Sequence, residues 1–135
     1  MFPATKLLMP GVMKALTLLL WIMAALPAFG QTTDPAKVLF ETGTRDEQAG
    51  RPERARLTLL TLASTYPDHA LADKARIEIG AICLFLEAQT QVKSGKTLDG
   101  YGTYRTILRV YPDSPLAKAA KEAANSLGIP PDPRR

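Results

Sequence analysis

A few side chains in this sequence have types and neighbours that could do chemistry. His69 is the only histidine and stands beside Asp68 in "TYPDHA", residues 65–70, an arrangement suited to acid–base work or metal binding. Cys83, the only cysteine, could serve as a nucleophile. Asp46 with Glu47, and Asp73 with Glu78, could supply carboxylates for general acid–base catalysis. "GYG", Gly100 to Gly102, carries a trace of a phosphate-binding loop.

Each of these has a plainer reading. A zinc site needs further ligands, and no second histidine or nearby cysteine joins His69. His69 is therefore expected as an exposed turn residue, in the slot that Ser114 fills in a second copy of the same corner. Cys83 lies among Ile82, Leu84 and Phe85 and reads as a small core hydrophobe. The acids are scattered along helix faces and read as solvated. "GYG" is too short and lacks a preceding strand. The expectation is a non-enzymatic chain with no catalytic residue, no metal site and no cofactor. A small exported enzyme or metal binder using His69 is the weakest alternative.

The chain of 135 residues carries a formal charge of +4. Its first 30 residues contain Lys6 and Lys14 but no acid. Lys14 precedes an apolar stretch from Ala15 to Leu26, Pro27 breaks it, and Ala28 and Gly30 are small. This pattern predicts a signal peptide over residues 1–30, cleaved near Gly30–Gln31. The apolar run is short for a membrane span, which needs about 20 residues. The alternative is an uncleaved N-terminal anchor, and Met13 could itself be the start. Periplasmic or secreted location follows, and the mature chain is expected not to span a membrane. Removing the leader leaves 15 basic against 13 acidic residues with no cluster of four basic ones. Nucleic acid is therefore excluded as the expected partner. A lone cysteine provides no intrachain disulfide, so the core must come from helix packing.

Helix signals cover residues 31–130. Asp34 and Pro35 can start a first helix that ends at Gly50, and Pro52 can start a second. Ala55, Leu59, Leu62 and Tyr66 form its apolar stripe, widened by Leu57 and Leu60 as if to contact neighbours on two sides. A third helix runs from about Ala70 to Val92 with Leu71, Ala75, Ile79, Ile82 and Leu86 in line. Thr97 could cap a fourth with Tyr101, Tyr104, Ile107, Leu108 and Tyr111. Ser114 caps a last helix with Leu116, Ala120, Ala123 and Leu127, ending at Gly128. Residues 131–135 are expected as a disordered tail. Nothing reads as a strand.

Superposing the chain on itself with an offset of 45 residues aligns these signals. Phe40 falls on Phe85, Gly50 on Gly95, Ala55 on Gly100, Leu59 on Tyr104 and Leu62 on Ile107. Tyr66-Pro67-Asp68 falls on Tyr111-Pro112-Asp113, and Leu71, Ala72 and Ala75 fall on Leu116, Ala117 and Ala120. Packing and turn positions share one register, the mark of a helical repeat. Asp68 and Asp113 are candidate caps of the corners, with Ser114 the alternative in the second copy.

The stretch from Ala49 to Ala75 resembles a tetratricopeptide-type repeat, and specifically those of the BamD/YfiO-like outer-membrane assembly lipoproteins. Its pattern is Gly50, Ala55, Leu59, Leu62, Tyr66-Pro67 and Ala75, then Gly95, Gly100, Tyr104, Ile107, Tyr111-Pro112 and Ala120. The resemblance implies an all-α fold of antiparallel helix pairs, stacked as a tetratricopeptide-like right-handed superhelix. About two repeats plus a closing helix fit the length. It also implies a protein–protein interaction scaffold of the cell envelope, linked to outer-membrane protein assembly, with no catalytic residue to carry over. The sequence departs from that family in lacking a lipobox cysteine after the leader and in having room for fewer repeats. Phe40 and Phe85 are the candidate side chains for a partner groove. Self-association into a homo-dimer is the second reading, because a short stack could complete its core with another copy.

Overall fold

The computed structural model describes residues 32–130, so the leader and the tail lie outside the described residues. Five helices follow in order: α1 Pro35–Gln48, α2 Pro52–Thr65, α3 Ala70–Lys93, α4 Thr97–Val110 and α5 Leu116–Ser126. Each packs chiefly on its neighbours in sequence, with lesser α1–α3 and α3–α5 contacts. The molecule is all-α, and this sequential packing is consistent with a helical-repeat arrangement.

The two copies of the 45-residue unit agree down to their hydrogen bonds. Gly50 and Gly95 both take positive φ, 72° and 83°, the left-handed conformation that glycine enters without steric cost. Arg51 N–H bonds to the Asp46 carbonyl and Lys96 N–H to that of Gln91, each at 2.8 Å. Gly50 N–H reaches Glu47 and Gly95 N–H reaches Val92 in the companion bond, so both helix ends close as Schellman motifs. At the Tyr-Pro corners, His69 N–H bonds to the Tyr66 carbonyl and Ser114 N–H to that of Tyr111, both at 3.1 Å. Proline then stops the helix because it cannot donate.

The stripe residues meet in one core. Ala55, Leu59, Leu62, Ala75, Ile82, Ile107 and Ala120 are fully buried, and the Phe85 and Tyr104 rings meet edge to face at 5.5 Å. Two expectations about α2 and α3 fail. Leu57 and Leu60 are exposed, and so is Cys83. Leu57 and Leu60 flank the fully buried Leu59 on α2, where neither neighbouring helix closes over them. Cys83 follows buried Ile82 by one residue, about 100° around the helix, which carries it off the packed stripe.

Helix starts also differ by small steps. Thr97 is the first residue of α4, preceded by Lys96, and no side chain caps that end. Asp34 caps α1 by accepting from Ala36 N–H at 3.0 Å, as its type predicts.

Small residues set the helix spacing. A Cβ added at Gly100 would lie 2.5 Å from Val92 Cγ2 and 3.1 Å from the Ala88 carbonyl oxygen, so α3 and α4 meet over a bare backbone. Gly102, two residues on, has open space. Alanine at the two positions should therefore act with opposite signs. Gly102→Ala is expected to stabilise by about 1 kcal/mol through helix propensity. Gly100→Ala is expected to destabilise by about 1–3 kcal/mol, because the Ala88 carbonyl cannot move without disturbing its helix. Thermal or urea unfolding of the two variants checks the pair.

Candidate functional site

His69 does not stand free in its corner. Its Nδ1 accepts from Leu71 N–H at 3.1 Å, capping α3, and its Nε2 lies 3.0 Å from Asp34 Oδ2 at the start of α1. The ring is half-buried, not exposed as expected. Ser114 plays the same part in the second unit: its Oγ accepts from Leu116 N–H at 3.3 Å and donates to Glu78 Oε2 at 2.8 Å. Each corner residue thus caps the helix that follows it and reaches back to an acid some 35 residues earlier. Asp68 and Asp113 make neither cap; the residue after each of them does.

Desolvation opposes ionisation of Asp34, yet the His69 hydrogen bond and the backbone N–H groups of Lys37 and Ala36 outweigh it and hold its carboxyl below the usual range. Both ring nitrogens of His69 are spent on these contacts. His69→Ala should cost about 1 kcal/mol in unfolding experiments, the ordinary loss of an N-cap, and His69→Ser should recover most of it because serine already does this work at position 114.

The acidic residues overturn the expectation that they are solvated. Asp46 and Glu47 are 4% and 2% exposed, although Asp73 does face solvent. Asp46 is clamped by the α2 end of the Gly50 turn, with Arg51 Nη2 at 2.7 Å and Arg54 Nε at 3.5 Å. In the second unit its equivalent is Gln91, whose side-chain oxygen accepts from Thr103 Oγ1 at 2.8 Å. The turn is fastened by an ion pair in one copy and by neutral polar groups in the other.

Glu47 is in a different position. No hydroxyl, amide or cation reaches either of its buried oxygens. Its polar neighbour is the half-buried Glu78 of α3. Two carboxylates offer only acceptors, so they can bond only if one of them keeps a proton. Burial, then repulsion from Glu78 and the hydrogen bond between them, push the Glu47 carboxyl up to about 8. Burial also raises Glu78, while hydrogen bonds from Ser114 and Glu47 pull it back. Ser114 Oγ donates to Glu78 Oε2 at 2.8 Å, so side chains from α1, α3 and the start of α5 meet around this acid pair. No group of three or more metal-ligating side chains is assembled among the described residues.

Clefts open on the helix faces of the described residues, and three of them bear on the reading. Phe40 is half-buried and lines a shallow one of about 330 Å3 on α1 with Glu41, Thr44, Arg45 and Gln48. Phe85, its repeat equivalent, is buried against Tyr104 and lines none of the three. A second cleft, about 510 Å3, lies between the start of α2 and α3, with Arg51, Pro52, Arg54 and Leu57 on one side and Leu86 and Gln89 on the other. The third, about 400 Å3, lies between α4 and α5. Sequence reasoning missed the second and third. The exposed Leu57 was the available signal, since a leucine beside the regular stripe of α2 has to face something other than its core partners. No family model matches the chain, and neither a curated protein nor a solved structure matches it.

Proposed function

We propose that this protein is a non-enzymatic protein–protein interaction scaffold of the bacterial cell envelope, built as a short tetratricopeptide-like superhelix. The observation that carries the reading is the α2/α3 cleft. There Leu57 is 62% exposed and faces the same opening as Leu86, an apolar pair flanked by Arg51 and Arg54. Apolar side chains contributed by two helices to one cleft suit a helix or extended peptide laid along the groove. Phe40 provides a second apolar contact on α1.

The envelope location rests on the leader read in residues 1–30, and the link to outer-membrane protein assembly rests on the repeat resemblance. The described helices agree with a partner outside the bilayer, since none is long and apolar enough to cross a membrane. Self-association is the second reading, favoured by the further exposure of Val38, Leu60, Ile77, Leu98 and Val110.

A photo-crosslinking amino acid placed at position 57 or 40 of the full chain, in living cells, tests the reading. A discrete adduct with one envelope protein is expected. An adduct of twice the chain mass would replace it with the homo-dimer, and a monomer without adducts at either position would overturn both.

A further inference from the structure

The α4/α5 cleft differs from the others in charge. Arg105 and Arg109 of α4 and Lys121 of α5 converge on it, with no carboxylate in its lining. None of the three has an ion-pair partner among the described residues. Lys37, Arg51, Arg54 and Arg76 sit on acids, while Arg45, Arg56, Lys74, Lys93, Lys96 and Lys118 share the lack of an ion pair. What sets this cleft apart is that three unpaired cations line one opening. Arg105 is held in place from within its own helix: its Nη1 donates to Tyr101 Oη at 3.2 Å, and its guanidinium lies 5.9 Å from the centre of the Tyr101 ring. That contact occupies one of five N–H donors and leaves the rest of the planar fork for a carboxylate. Tyr101, Leu108 and Ile129 supply the apolar part of the lining.

We propose that this cleft docks an acidic peptide segment of a partner protein, one that carries an apolar side chain among its carboxylates. The assignment rests on the scaffold reading above and names the surface and the chemistry of the partner. Charge complementarity selects the acid, because three cations converge without a counter-ion. The size, about 400 Å3, and the apolar lining select a peptide over a small anion, because a lone phosphate would leave Leu108 and Ile129 uncovered. Nucleic acid is disfavoured because three cations in one pocket give a short phosphate track.

The test uses the full chain and a fluorescein-labelled peptide of about a dozen residues with Glu in three of every four positions and Leu in the fourth. Binding is expected that weakens steeply with added salt. Arg105→Glu with Arg109→Glu should lower affinity at least about tenfold, while Lys37→Glu on α1 leaves it unchanged. A peptide with Gln for every Glu should fail to bind, and a Ser-for-Leu peptide should bind several-fold more weakly. Circular dichroism of each variant ensures that a loss is read on a folded protein. The inference is overturned if the Glu peptide does not bind, if the double variant binds it equally, or if inorganic phosphate or a single-stranded oligonucleotide displaces it at equal charge concentration. Loss of the peptide site with crosslinking at position 57 intact would strike this cleft and leave the scaffold reading standing. Failure of that crosslinking alongside normal peptide binding would do the reverse.

Discussion

Replacing Glu47 with glutamine is expected to stabilise the protein, and to stabilise it more as the pH rises. In the folded chain the Glu47 carboxyl releases its proton near pH 8, against 4.5 for an ordinary glutamate. Between those values the folded state holds a proton that the unfolded chain has given up. Raising the pH therefore draws the equilibrium toward the unfolded chain, by about 1.4 kcal/mol per pH unit for one proton. The penalty is absent well below pH 4.5, grows through neutrality and levels off above pH 8. Near neutral pH it amounts to something on the order of 3 kcal/mol. Glu78 is raised as well, so its own titration works in the same direction. Glutamine keeps an N–H to donate to Glu78 and has no proton to lose, so the variant should escape most of this slope. Urea unfolding from about pH 5 to about pH 9 measures it directly. Parallel curves for the two proteins would mean that Glu47 does not hold its proton in the fold.

The second large effect lies in the first helix pair. Leu59 of α2 is fully buried and rests on Gly43 of α1, where an added Cβ would come within 2.7 Å of the leucine side chain. Leu59→Ala should cost about 3 kcal/mol, the transfer term plus the cavity left where α1 and α2 cannot fully close. Gly43→Ala alone should also destabilise, since the leucine is enclosed and has little room to yield. Made together with Leu59→Ala, the same glycine change should become favourable, because the clash is gone and the helix propensity gain of about 1 kcal/mol remains. Chemical denaturation of the four proteins gives the cycle, and the reversal of sign is the expected result. Strict additivity would show that the two side chains do not share the contact.

Much of the architecture was legible because its signals are local. Pro35, Pro52, Pro67 and Pro112 mark helix boundaries through their missing N–H. Gly50 and Gly95 mark helix ends because the left-handed conformation there strains any side chain. The apolar steps Ala55–Leu59–Leu62 and Tyr101–Tyr104–Leu108 follow the helical period, so helix type and inner face could be read together. The same reasoning placed Ser114 as a cap with Pro115 opening the last helix, one residue before its observed start at Leu116, and found the slot Ser114 shares with His69.

The sequence by itself determined five helices, their turns and the 45-residue register that relates them. Those features depend on backbone sterics and on a period that each helix carries alone. Tertiary structure decided which carboxylates were solvated and which were buried. Glu47 and Glu78 stand 31 positions apart on separate helices, and neither has a local feature that marks burial. Only the packing of α1 against its neighbours withdraws water from Glu47, and α3 sets a second acid against it, which is what holds its proton. Tertiary structure likewise placed Cys83 outside the core, left Leu57 in an open cleft and brought Lys121 to Arg105 and Arg109. Helical periodicity gives the direction of a side chain about its own axis, whereas burial and charge convergence depend on which other helix arrives in that direction.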